Sequence, residues 1–311
     1  MLAAGLLGML FAAVSTPAPA APVVAPAPFG LLSPGDMSNT LGAAFTGDGK
    51  TVYYMKSEPG GVGLTIFQSH LDSGRWSAPQ VAPFSGRYAD ADPAIVPDGS
   101  ALIFSSKRPP RPDAFSLYEL FLIGPKSGTI VPLPNSANAL GDEYYASVSA
   151  DGSLYFTLGT DAGYQIFHVP AVSEENLAAQ PLMLAGDAKG VSDFDETIAA
   201  NGKYMVFASD RPGGAGASDI YLSVRRGNRW CSPFHLPAPI NKTAEMGTGL
   251  SRDGRTLYFA SYRTLFAFPA AKPMTADDFQ ALLEHPENNA LHTYVADIGP
   301  VVDRRLAASD C

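Results

Sequence analysis

Eight residues ahead of four Asp-Gly or Asn-Gly pairs stands a carboxylate. Asp90 precedes Asp98-Gly99, Glu143 precedes Asp151-Gly152, Asp193 precedes Asn201-Gly202 and Glu245 precedes Asp253-Gly254, while Thr40 stands before Asp48-Gly49. Asp92, Asp142, Asp195 and Glu196 thicken the same zone. Acids repeated in this way can draw in a cation or a basic peptide through their summed field. The pairs Asp90-x-Asp92 and Asp193-x-Asp195 could also lend oxygens to Ca²⁺, although neither lies in the Glu-terminated loop that makes an EF-hand specific. The plainer use is structural: each carboxylate accepts hydrogen bonds from amides of its own or the next repeat and so locks the repeats together.

Catalysis by these acids would be glycosidase-like, which needs one acid protonated and the other ionised, roughly 5 to 9.5 Å apart. Equivalent places on successive repeats share one environment, a poor way to split two pKa values. Binding is therefore preferred to catalysis, with a glycosidase-like hydrolase as the alternative. Other chemistries lack their residues. The sequence has no Gly-x-Ser-x-Gly elbow for a serine nucleophile, and His70, His168, His235, His285 and His292 fall into no zinc-binding spacing. Gly213-Gly214-Ala215-Gly216 does not stand between a strand and a helix, as a phosphate loop must. A net charge of −9 argues against a nucleic-acid partner.

The elements that must carry the acids are legible in the repeat. The five turns recur every 50 to 53 residues, a period of propeller blades. Each turn leads into an apolar run, such as Ala101-Leu102-Ile103-Phe104 or Tyr204-Met205-Val206-Phe207, rich in the β-branched and aromatic residues of strands. Small residues precede each turn, for example Ala43-Ala44-Phe45 and Thr248-Gly249-Leu250, and these are assigned to the strand lining the axis. Third strands follow around Ile66, Tyr118, Ile166, Ile220 and Tyr294. Trp76 and Trp230, each with a Pro three residues on, mark outer strands and are read as packing anchors between blades.

The last unit has no outer strand of its own, and Pro28-Phe29 stand to Asp48 as Pro233-Phe234 stand to Asp253. The segment near Phe29 is therefore expected to complete the final blade and close the ring. The expected fold is an all-β, closed five-bladed propeller over 28–300, or six-bladed if one unit is degenerate, with a C-terminal tail at 301–311. In this ring the acids share a face with the loops between second and third strands, which carry Arg108 and Arg211. The expected binding surface is thus a channel mouth formed by Asp90, Asp92, Glu143, Asp193, Asp195, Glu245, Arg108 and Arg211. Thr275 with Asp278, followed by Phe279, Leu282 and Leu283, predicts a short capped helix in the fifth blade, with packing over the rim preferred to partial cover of the channel mouth.

Residues 1–20 read as a secretory signal, with an apolar run too short to span a bilayer, and 21–27 as a Pro/Ala-rich linker. The mature protein is expected to be a periplasmic or secreted monomer. Cys231 and Cys311 are the only cysteines; a bridge after export and a pair of separate thiols both remain open. The repeat resembles the TolB-like, WD-repeat-like propeller motif of bacterial exported proteins. Blade four carries it best, running from Asn201-Gly202-Lys203 through Ser209-Asp210-Arg211-Pro212-Gly213-Gly214 to Asp219-Ile220-Tyr221. The loop persists as Ser106-Lys107-Arg108-Pro109 and as Ser57-Glu58-Pro59-Gly60-Gly61. The resemblance implies the fold and a protein, peptide or glycan partner in the cell envelope. A role in the Tol-Pal system is not carried over, because the sequence has no room for the separate N-terminal domain of TolB.

Overall fold

The computed structural model describes residues 25–31, 36–122, 124–138, 140–170, 178–186, 190–267, 269–270, 272–309 and 311. The proposed signal at 1–20 lies outside them. Five small antiparallel sheets follow one another around an axis. Their innermost strands are Asn39–Phe45, Asp90–Ile95, Asp142–Val148, Asp193–Ile198 and Glu245–Leu250, each joined by its Asp-Gly or Asn-Gly turn to a middle strand.

The turns form as their residues demand. Asp48, Asp98, Asp151, Asn201 and Asp253 each accept the amide two residues on through a side-chain oxygen. Such Asx turns leave the following Gly at positive φ, from 66° at Gly202 to 86° at Gly152. Beyond the turn, every blade sets an aromatic pair across its middle and third strands: Tyr54–Phe67, Phe104–Tyr118, Phe156–Phe167, Phe207–Tyr221 and Phe259–Tyr294. The middle-strand member of every pair is buried, so five copies of one contact build the walls between blades.

The fifth sheet closes as its sequence required. Ala27–Pro28 pairs with His292–Asp297, with Pro28 opposite Tyr294, and the Phe29 amide donates to the Thr293 carbonyl. Phe29 then packs edge-on against Phe45, Trp76 and Tyr258, tying the first and last blades together. Trp230 likewise packs between blades, against Tyr155. A short turn, α1 (Asn135–Asn138), precedes the third blade. The predicted helix is α2 (Ala276–Glu284), with both halves of its capping box made by Thr275 and Asp278. It buries none of its own side chains. The segment Glu287-Asn288-Asn289-Ala290 after it turns at Asn289, which takes φ 70°, a conformation Asn tolerates better than most residues.

The tail is more than an appendage. Residues Gly299–Ala307 form α3, whose Val301 and Val302 are buried in the core between the fourth and fifth blades. Arg226 donates to the carbonyls of Arg305, Leu306 and Ala308 at its end. Cys311 reaches the outer strand of blade four and is bridged to Cys231.

Candidate functional site

All five innermost strands carry the same irregularity. Their pairing with the middle strand slips between Leu41 and Ala44, Ala91 and Ala94, Tyr144 and Ser147, Phe194 and Thr197, and Met246 and Gly249. The bulged residues Gly42, Asp92, Tyr145, Asp195 and Gly247 all have positive φ, between 48° and 67°. A bulge bends its strand and re-aims the side chains on either side of it. Here it divides the acids of the sequence into two groups with different surroundings.

The acids before the bulge turn into the protein. Asp90, Glu143 and Glu245 are wholly buried and Asp193 nearly so. Asp90 accepts from Ser85, Ser106 and Arg108. Asp193 takes both oxygens to Arg211 at 2.7 and 2.9 Å, and Arg211 also bonds Ser209. In both Ser-x-Arg loops the guanidinium lies over the aromatic pair of its blade, Phe104 with Tyr118 and Phe207 with Tyr221. Glu143 accepts the amides of Leu140 and Gly141 and pairs with Arg111 from the blade before. Burial still pushes its carboxyl up against those donors. Glu245 accepts the amides of Lys242 and Thr243 and the Ser261 hydroxyl. Arg108 and Arg211 are thus held by acids of their own blades. Between these acids and the bulge stand Leu41, Ala91, Tyr144 and Met246, which meet in one apolar cluster.

Past the bulge the channel widens into a cavity of about 420 Å³ that opens among the Asp-Gly turns, at Thr46, Gly47, Pro97, Ser251 and Arg252. This is the opposite end from the mouth expected from the sequence. Apolar wall comes from Ala44, Pro93, Ala94, Val148, Ile198 and Leu250. At the inner end stand Asp92, Tyr145 and Glu196, from three successive blades, while the first and fifth blades present Gly42 and Gly247. A Cβ on Gly247 would lie 2.8 Å from the Tyr145 hydroxyl, so glycine there is what lets the phenol cross the axis.

Few charges balance this floor. Asp92 accepts from the Ser105 hydroxyl and the Tyr145 amide, Asp195 from the Gly247 amide, and Glu196 from the Thr157 hydroxyl. Burial raises the Asp92 carboxyl to about 7. Burial first, then the nearby charge of Asp92, raises Asp195 to about 7. Glu196 is pushed well up by burial, and so is Tyr145. Glu196 Oε1 and the Tyr145 hydroxyl are buried without a hydrogen-bond partner. Among the described residues no group of three or more His, Cys, Asp or Glu side chains is arranged to hold a metal ion.

The rim behaves oppositely. Hydrogen bonds from the Lys50 amide and Thr46 hold Asp48 below the usual carboxylate range, and those from Ser251 and the Arg255 amide do the same for Asp253. Ser100 and Ser149 lower Asp98 and Asp151 in the same way. Four of the five turns therefore carry ionised carboxylates, the fourth having Asn201 in that place. Sequence reasoning placed the acidic field on the other face because the bulge, which no residue pattern marks, was not visible to it. It also missed Tyr145, Arg111 and Arg263. For Arg263 a signal existed: Ser261-Tyr262-Arg263 repeats the Ser-x-Arg spacing, and its guanidinium lies over Phe259 and Tyr294 as in blades two and four.

No family model matches the chain, and no curated protein matches it in sequence. Solved structures of similar shape include TolB from Acinetobacter baumannii, 16% identical, with 84% of this chain and 55% of that one covered and a TM-score of 0.48. A putative TolB from Agrobacterium tumefaciens is 15% identical, with 84% and 90% covered and a TM-score of 0.49. A putative gluconolactonase is 12% identical over 82% of this chain and 73% of that one, with a TM-score of 0.44. The chain thus spans little more than half the length of the Acinetobacter protein.

Proposed function

We propose that this chain is an exported, non-catalytic binding module of the bacterial cell envelope, whose protein, peptide or glycan partner docks over the turn face and reaches into the channel. The observation that carries the reading is the cavity of about 420 Å³ open among the Asp-Gly turns, a volume in the range of ligand sites. In this reading Asp92 lines the site and Asp195 lies behind its wall, bonded to the Gly247 amide, while Asp90, Glu143, Asp193 and Glu245, with Arg108 and Arg211, hold the innermost strands in place around it.

Binding is favoured over glycosidase chemistry because the floor acids are all shifted the same way. Asp92, Asp195 and Glu196 are each raised chiefly by burial, whereas an acid–base pair needs one member held ionised. Export is supported by the apolar leader and by the Cys231–Cys311 bridge, which suits an oxidising compartment. The test is retention of envelope components by the purified protein. Ala94→Trp, which fills the cavity from its wall, should abolish retention, and Tyr164→Ala on the opposite face should leave it intact. The reverse pattern would move docking to the other face, and turnover of aryl glycosides lost in Asp92→Asn would replace binding by hydrolysis.

A further inference from the structure

We infer that the outer corner of the turn face at blade four is a docking surface for an acidic segment of a partner protein. The inference goes beyond the cavity and does not depend on it. Two equivalent hairpins carry it. In blade one the third and outer strands join at Ser73-Gly74, which sets Asp72 opposite Arg75, an attractive pair. In blade four they join at Gly227-Asn228, and the same place holds Arg226 opposite Arg229. Like charges directly opposite one another destabilise an antiparallel pair. Trp76 and Trp230 stand one residue further along in the two hairpins, opposite Leu71 and Arg225, so the frame is shared and the charges differ.

The tail adds to that repulsion. Arg226 donates to the carbonyls of Arg305, Leu306 and Ala308 at 3.2, 2.9 and 2.6 Å. Those bonds give Arg226 a structural use as a cap on α3, and they bring Arg304 and Arg305, in the last turn of that helix, to the same corner. Lys203 joins them from the Asn201-Gly202 turn, where its carbonyl takes the Arg225 amide at 2.8 Å. No acid occurs in the sequence from 220 to 244. The segments concerned, 203, 225–229 and 299–311, hold five arginines and one lysine against two acids, Asp303 and Asp310, in a chain of net charge −9. Asp303 is already bonded to Arg255 through both oxygens. Among the described residues no carboxylate pairs with Lys203, Arg229 or Arg304.

The chemistry of the corner selects the partner. Guanidinium forks take carboxylates bidentately, as Arg255 does with Asp303 at 3.0 and 2.9 Å. A bilayer would receive nothing apolar here, because the exposed large hydrophobic side chains, among them Val62, Leu140, Tyr164 and Phe279, lie outside the turns and outside α3. A sugar ring would find no open aromatic face, since Trp230 is buried. An acidic peptide segment needs neither. The corner is also held rigid by Val301, Val302 and the Cys231–Cys311 bridge, so docking orders little of it.

Fluorescein-labelled octaglutamate is the probe, titrated into the full oxidised chain and read by anisotropy. At about 0.01 M NaCl it should bind with a Kd below about 0.5 mM. Affinity should fall about tenfold or more by about 0.15 M, as the screening length shortens from about 30 to about 8 Å. Arg229→Asp combined with Arg304→Glu should weaken binding at least about tenfold, whereas Arg75→Asp combined with Lys50→Glu, the same change of net charge at blade one, should leave it unchanged. Arg229→Asp alone rebuilds the opposite-charge pair of blade one, so its Tm should hold or rise by about 1 to 3 °C while binding weakens. A fall in Tm would make Arg229 a structural residue and overturn the inference, as would equal loss in the blade-one variant or a Kd above that limit. Displacement of the peptide by phosphatidylglycerol vesicles or by polygalacturonate at a lower concentration of charge would assign the corner to a lipid or a glycan and overturn the protein partner. Ala94→Trp should leave octaglutamate binding unchanged, so failure here leaves the cavity reading to its own test.

Discussion

Asp92 and Asp195 sit in a left-handed backbone conformation, at φ 53° and 52°, that few side-chain-bearing residues accept. Asn accepts it at least as well as Asp, so Asp92→Asn changes charge without straining the bulge. The carboxyl has a folded-state pKa of about 7 against an ordinary value of 3.8. Between those two pH values the folded chain holds a proton that the unfolded chain has released, so this group's contribution to stability declines as pH rises from about 4 to about 7 and stays low above. Asp92→Asn should match the parent protein in Tm near pH 4 and exceed it at pH 8 by about 3 °C or more, read by thermal unfolding in matched buffers. A variant that is less stable at pH 8 would mean that the ionised carboxylate is a structural lock, as Asp193 is with Arg211. The expected gain at pH 8 would instead mark the floor as a site maintained against the stability of the fold.

At the scale of the strand, Phe29 does for the ring what the bulges do for the channel. It lies just outside the closing strand, yet it contacts Phe45, Trp76 and Tyr258 from the two blades it joins. Phe29→Ala should cost about 3 kcal/mol, measured by urea unfolding, and should speed exchange of the Tyr294 and Val295 amides first. Loss of stability without that local exchange would detach closure from this segment. The closing strand could be foreseen because Pro28-Phe29 copy the spacing of Pro233-Phe234, and the turns because Asx chemistry is local to a few residues. α2 was foreseeable for the same reason, since Thr275 and Asp278 cap it within one turn. The channel was not, because a bulge is a property of two paired strands. One extra residue reverses which side chains face the axis, so Asp90 turns inward to Arg108 while Asp92, two residues on, reaches the cavity. Gly42 and Gly247 permit the bulge, but Asp92, Tyr145 and Asp195 hold the same backbone without a glycine to announce it.

For the molecule as a whole, a propeller of five blades has two closures, one at each end of the chain. The N-terminal closure is a strand in the fifth sheet, and the C-terminal one is covalent. After His292–Asp297 the chain passes through α3, buries Val301 and Val302 between blades four and five, and ends bridged to Cys231 in blade four. The 80-residue separation of the two cysteines encloses the three inner strands of the fifth blade and α2, but not its closing strand Ala27–Pro28. A cross-link over a loop of that length removes about 4.5 kcal/mol of unfolded-state entropy in the chain-entropy description, and measured effects run nearer 2 to 4 kcal/mol. Reduction, or replacement of both cysteines by Ser, should therefore lower stability by about 2–4 kcal/mol without opening the ring, because Ala27–Pro28 still pairs with His292–Asp297. Urea unfolding of oxidised and reduced protein reads the first effect. Hydrogen exchange reads the second, with α3 and the outer strand at Arg229–Trp230 losing protection while the Pro28–Tyr294 pairing keeps it. Loss of both together would make the bridge part of ring closure. No change in either would leave α3 held by Val301, Val302 and the Arg226 contacts alone, and the covalent closure would then add nothing to the wheel that its hydrophobic seam does not already supply.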